Sequence, residues 1–117
     1  MVSLPEQAQR LCIYTGERDT HAGRPLYEII VEMARKRGLA GATVTRGVSG
    51  FGANSLVHTI KVLRLSEDLP LLIQIVDTPE KIEAFLPELD AVISEGLVTV
   101  EPVQVVFYRH KGGKKNL

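Results

Sequence analysis

The chain has 117 residues, 44% of them hydrophobic, with 14 Lys plus Arg balancing 14 Asp plus Glu. That length suits one domain with one core, and the hydrophobic share excludes wholesale disorder. Balanced charge leaves no general attraction to nucleic acid or to an anionic membrane, and the single cysteine, Cys12, rules out an internal disulfide or a multi-thiolate zinc cluster.

Residues 1–6 read as a loose lead-in, without the basic region and apolar stretch of a signal peptide. Apolar runs are too short throughout to span a bilayer, so a cytoplasmic protein is expected. Leu11, Ile13 and Tyr14 favour a first strand over residues 9–15, with Cys12 a small buried hydrophobe inside it. The polar stretch from Gly16 to Gly23 ends it. Pro25 then suits the first turn of a helix. Leu26, Ile29, Ile30, Met33 and Ala34 recur at helical spacing, and Gly38 is a natural terminator. Glu28 near the start and Arg35, Lys36 and Arg37 near the end suit the helix dipole.

Residues 41–48, with Val44 and Val48 among threonines, predict a second strand. A stretch dense in glycine and small polar residues follows, Gly47-Val48-Ser49-Gly50-Phe51-Gly52-Ala53-Asn54-Ser55. Ile60, Val62, Leu63 and Leu65 suggest a short strand at the base of this loop, and Ser66-Glu67-Asp68 a turn. Residues 69–77 form the strongest strand pattern in the chain. Asp77-Thr78-Pro79-Glu80 then starts a helix, with a capping side chain and proline in the first turn. Ile82, Phe85, Leu86, Leu89 and Ile93 give this helix an apolar stripe ending at Gly96, and Pro87 within it should produce a kink. Residues 97–108 predict a last long strand, in which Pro102 requires an edge or a bulge. The segment from His110 to Lys115 reads as a solvated tail.

The order strand, helix, strand, long loop, strand, helix, strand predicts an α+β fold of the split βαβ kind. Its four-stranded antiparallel sheet would carry both helices on one face. Two helices cover only that face. Leu71, Ile73 and Ile75 alternate with Leu72, Gln74 and Val76, while Leu97, Val103, Val105 and Phe107 alternate with Val98, Val100 and Val106. Both faces therefore read as mostly apolar, and exposing such side chains forgoes roughly 1.5–3 kcal/mol each. Self-association through the sheet is the expected remedy.

The glycines of Gly47-Val48-Ser49-Gly50-Phe51-Gly52 match neither a P-loop nor a dinucleotide fingerprint, yet they let a backbone approach an anion or another chain closely. Phe51 stands between two glycines as an exposed anchor or a side chain folded back on the domain. Arg46, Lys61 and Arg64 flank the loop as solvated cations or as donors to a phosphate group. His21, His58 and His110 show no metal-ligand spacing, and Glu67-Asp68 is explained by turn chemistry. No nucleophile or acid–base pair suggests an enzyme.

Three blocks carry a resemblance: residues 38–44 (Gly-Leu-Ala-Gly-Ala-Thr-Val), Gly50-Phe51-Gly52-Ala53-Asn54-Ser55 and Leu65-Ser66-Glu67-Asp68-Leu69-Pro70. With Leu71-Leu72-Ile73-Gln74-Ile75-Val76-Asp77, they resemble the PII-like signalling proteins, a small family similar to nitrogen-regulatory PII proteins. The resemblance implies one ferredoxin-like domain over residues 8–108, a flexible tail over 109–117 and a homotrimer with nucleotide clefts between subunits. It implies that Val48 to Pro70 corresponds to the mobile T-loop that touches partner proteins. By resemblance Gly41, Thr43, Gly50, Phe51 and Gly52 would be cleft or loop positions; Arg46, Lys61 and Arg64 are added as candidate ligand contacts from their charge and place beside the loop alone. Two PII features have no counterpart. Gly96-Leu97-Val98-Thr99-Val100 lacks the lysine of the PII phosphate loop, and no tyrosine lies between Val48 and Pro70.

The expectation is a trimeric regulator that binds a small ligand, an adenine nucleotide being the class in view, and signals to a protein target through residues 48–70. A small trimeric metal-binding or tolerance protein is one alternative, and a ligand-free interaction module another.

Overall fold

A computed structural model of the protein describes residues 7–50, 58–59 and 68–109. In chain order the elements are β1 (Gln7–Gly16), β2 (Thr20–His21), β3 (Arg24–Pro25), α1 (Leu26–Lys36), β4 (Thr43–Arg46), β5 (Ser49–Gly50), β6 (His58–Thr59), β7 (Pro70–Asp77), α2 (Pro79–Val92) and β8 (Leu97–Gln104). Strands β4, β7, β1 and β8 lie in that order in one four-stranded sheet, every neighbouring pair antiparallel. The pairs β2–β3 and β5–β6 are small separate ladders. The architecture is the expected α+β, ferredoxin-like one, and Pro102 sits on β8 at the sheet edge, where its missing N–H breaks no internal ladder.

The period of two along each strand builds the core. Leu11 and Ile13 of β1 pair with Ile75 and Ile73 of β7, and all four face the helices. Leu26, Ile30 and Ala34 come down on them from α1, and Ile82, Phe85 and Leu89 from α2. None of these ten side chains is more than 2% exposed.

Local chemistry fixes the corners. Helix α1 ends at Gly38, whose φ of +74° costs a side-chain-bearing residue more than glycine. Thr78 caps α2 by accepting from the Lys81 backbone N–H at 3.2 Å. Helix α2 runs past Pro87 to Val92 as one element, with Pro87 on its exposed side. There water can satisfy the carbonyl that the ring leaves without a helical partner. The last strand stops at Gln104, paired with Gln7, and residues 105–108 leave the sheet rather than continue it.

The other sheet face is mixed rather than mostly apolar, which corrects the reading drawn from the strand patterns. Pairing places Thr45, Leu72, Tyr14 and Leu97 in one row across it, and Thr43, Gln74, Cys12 and Thr99 in the next. Val76, Arg10 and Glu101 follow, with Arg10 hydrogen-bonded to the Glu101 carboxylate at 2.8 and 2.5 Å. Thr99 and Glu101 are the polar alternation in β8 that attention to its valines passed over. Among the described residues no helix covers this face, and Tyr14 and Leu97 are 42% and 57% exposed.

Asp77 is fully buried at the end of β7. Its carboxylate accepts from the Ala40 backbone N–H at 2.9 Å and the Thr78 N–H at 2.7 Å, tying the connection after α1 to the start of α2. Asp77→Ala should lower unfolding free energy by roughly 2–4 kcal/mol, because two half-buried backbone donors lose their carboxylate acceptor. Urea denaturation measures it, and a change below about 1 kcal/mol would contradict the anchoring role. Gly96 has φ +151°, and a Cβ there would lie 2.8 Å from the Tyr14 carbonyl oxygen. Gly96→Ala is therefore expected to cost about 1–3 kcal/mol in the same assay.

Candidate ligand site

The connection leaving α1 passes through Ala40, Gly41 and Ala42 before β4 turns Thr43 onto the uncovered sheet face. Three other parts of the chain meet it. Strand β7 contributes Gln74 and Val76, β1 contributes Arg10, and the segment after β8 contributes Val105, Phe107 and Tyr108. Together they enclose a cleft of about 580 Å³. The Tyr108 hydroxyl donates to the Ala40 carbonyl oxygen at 3.4 Å, holding the end of the described chain against the cleft rim.

The cleft walls are chemically varied. A Cβ built on Gly41 meets nothing within 4 Å, so its backbone is open to close approach by another molecule. The Glu101 carboxylate, hydrogen-bonded to the Arg10 guanidinium, stabilises its charged form and raises its pKa above the ordinary guanidinium value. Gln74 makes a weak contact, Nε2 donating to the Cys12 Sγ at 3.9 Å. Phe107 is 69% exposed, with the Arg109 guanidinium 4.3 Å from its ring centroid.

Residue by residue, the structure divides the expected ligand contacts. Gly41 and Thr43 lie in the cleft wall. Arg46, at the far end of β4, is ion-paired with Glu17 at 2.5 Å and belongs to the loop base instead. Gly50 pairs with His58 in the β5–β6 ladder. Phe51, Gly52, Lys61 and Arg64 lie outside the described residues. Arg10, Gln74, Phe107 and Tyr108 were missed. Alternation along β1 and β7 carried a signal for the first two, since both share the face of Thr43. Phe107 and Tyr108 were hidden by treating residues 105–108 as strand.

The turn after β1 forms the loop base. Gly47 N–H donates to the Pro70 carbonyl and Glu17 N–H to the Leu69 carbonyl, both at 2.8 Å. Asp68 accepts from the Arg18 N–H at 2.9 Å, and its carboxylate sits 2.7–2.8 Å from where a Cβ on Gly16 would stand. The exit of the long connection is thus held by residues 16–18, and its entry is held to the exit by the Gly47–Pro70 bond.

A second hollow of about 390 Å³ lies between the end of α2 and the start of β8, bordered by Leu86, Leu89, Ile93 and Val98. None of the expected ligand contacts borders it. Among the described residues, no group of three or more His, Cys, Asp or Glu side chains could hold a metal ion. No described helix is long and apolar enough to cross a membrane.

Residues 8–105 match the DUF190 family, described as an uncharacterized ACR, COG1993. A UPF0166 protein of Aquifex aeolicus is 38% identical over 97 residues, covering 83% of this chain and 91% of that protein. A UPF0166 protein of Methanocaldococcus jannaschii is 35% identical over 100 residues, covering 85% and 92% respectively. Among solved structures, CPII of Thiomonas intermedia K12, a nitrogen regulatory PII-like protein bound to ADP, AMP and bicarbonate, superposes with a TM-score of 0.59. It is 20% identical, with 90% of this chain and 92% of that one covered. The same protein bound to ADP and bicarbonate gives a TM-score of 0.54 at 21% identity, with 90% and 93% covered. The likeness drawn from three short sequence blocks thus extends to the whole fold, and the chain belongs to the DUF190 family.

Proposed function

We propose that the protein is a trimeric, cytoplasmic regulator, not an enzyme, that binds an adenine nucleotide in the cleft beside Gly41 and Thr43. In this reading a neighbouring subunit completes the cleft, and the segment between Val48 and Pro70 carries the signal to a partner protein. The observation that carries the proposal is the position of the cleft on the sheet face that no helix covers. A second subunit on that face would bury Tyr14 and Leu97 and close the open side of the cleft. The adenine nucleotides bound by the similar CPII structures favour this ligand class. Gly41 and Thr43 would line the base of the site. Arg46, Gly50, Phe51, Gly52, Lys61 and Arg64 would respond from the loop. A nucleotide can switch the loop only by binding one of its states more tightly than the other.

Thermal unfolding in ADP, AMP and ATP tests the ligand. A nucleotide at 100 times its dissociation constant adds about 2.7 kcal/mol to the folded state, enough to raise the melting temperature by several degrees. No shift with any of the three, together with no heat in calorimetry, would remove the nucleotide reading. Sedimentation equilibrium tests the assembly. The native chain should run as a trimer at micromolar concentration, whereas Leu97→Lys, placing charge in the Leu72–Tyr14–Leu97 row, should dissociate it without loss of helical circular dichroism. A native monomer would exclude the trimer.

A further inference from the structure

Phe107 and Gln74 border the same cleft, one from the segment beyond β8 and one from the centre of the sheet. We infer that they form an adenine-selecting pair, Phe107 stacking on the base and Gln74 reading its edge, a deepening that rests on the nucleotide reading above.

The ring of Phe107 is unusually placed for a large apolar side chain. It is 69% exposed and contributes nothing to the core, although burying it would be favourable. The Arg109 guanidinium stacks over the ring at 4.3 Å, and Arg109 does not border the cleft. The ring thus has a cation on it from outside and an open space beside it. The Tyr108 hydroxyl lies 3.4 Å from the Ala40 carbonyl oxygen, a weak contact that places the adjacent ring at the rim. A planar heteroaromatic base gains from stacking on such a ring whatever its edge pattern. Stacking therefore supplies affinity without selectivity.

Selectivity needs a directional group, and Gln74 is the amide in the cleft wall. Its amide N–H group faces the Cys12 sulfur at 3.9 Å, a weak acceptor that a ligand can replace at small cost. One carboxamide offers a donor and an acceptor side by side, the complement of adenine N7 and its exocyclic amine. Guanine presents two acceptors, N7 and O6, at the corresponding edge, leaving the amide oxygen of Gln74 opposed to another oxygen. The cleft should thus prefer adenine nucleotides over guanine nucleotides through one side chain.

Isothermal calorimetry with ADP and GDP on the full-length chain separates the parts. The native protein should bind ADP more tightly than GDP. Phe107→Leu should weaken both nucleotides by about tenfold, the scale of one base–aromatic stack, and Phe107→Tyr should restore them. Gln74→Leu should weaken ADP more than GDP and so narrow the preference. Because Phe107 lies outside the core, its variants should keep the native melting temperature without nucleotide. If the native chain binds ADP but Phe107→Leu binds it within twofold of native, the platform is wrong. An unchanged preference in Gln74→Leu overturns the edge reading. If the native chain binds neither nucleotide, the nucleotide function fails, and this inference with it.

Discussion

A four-stranded sheet has two faces, and this chain has helices for one. That constraint organises the rest of the molecule. On the helix side the demand for burial is met internally, by ten side chains from β1, β7, α1 and α2 with almost no contact with solvent. On the other side the described residues supply a short segment beyond β8, which reaches to Ala40 and closes part of the surface. The candidate cleft exists because that cover is incomplete. Its walls are the uncovered face, the connection after α1 and the inner side of the terminal segment, so fold and site follow from one geometric shortfall.

Much of the architecture was legible because hydrophobic periodicity is a direct record of burial. Leu11 and Ile13, and Ile73 and Ile75, alternate as strands with one buried face must. The stripe from Ile82 to Leu89 could only be a helix of that length. Gly38 and Thr78 marked termini through backbone and capping chemistry that act within a few residues. These signals are local, and local signals survive in a sequence.

What failed was non-local. Whether Leu97 and Val103 share their face with polar residues depends on reading every second position, and Thr99 and Glu101 were overlooked beside the valines of β8. Strand β8 ends at Gln104, paired with Gln7, a fact held in the pairing and not in residues 105–108. Arg46 was read from its charge and its place beside the loop, as a solvated cation or a donor to phosphate, and its acidic neighbour was not legible. Its ion pair with Glu17 joins positions far apart in the chain, brought together by the antiparallel return of β7 between them. Gly41 and Thr43, expected through family resemblance, line the cleft, whereas Arg10 and Gln74 needed the strand register to bring them to the same place.

The turn at residues 16–18 has a consequence for how such a domain can diversify. Hydrogen bonds from this turn and from Gly47 fix where the long connection departs and where it returns. With both ends anchored, lengthening the connection adds only a logarithmic closure entropy, about 0.6 kcal/mol for each doubling. Insertions and rewritten sequence there leave the sheet register untouched. Anchoring of this kind lets one framework carry many different loop segments while the candidate cleft, at the opposite ends of the same strands, stays the same.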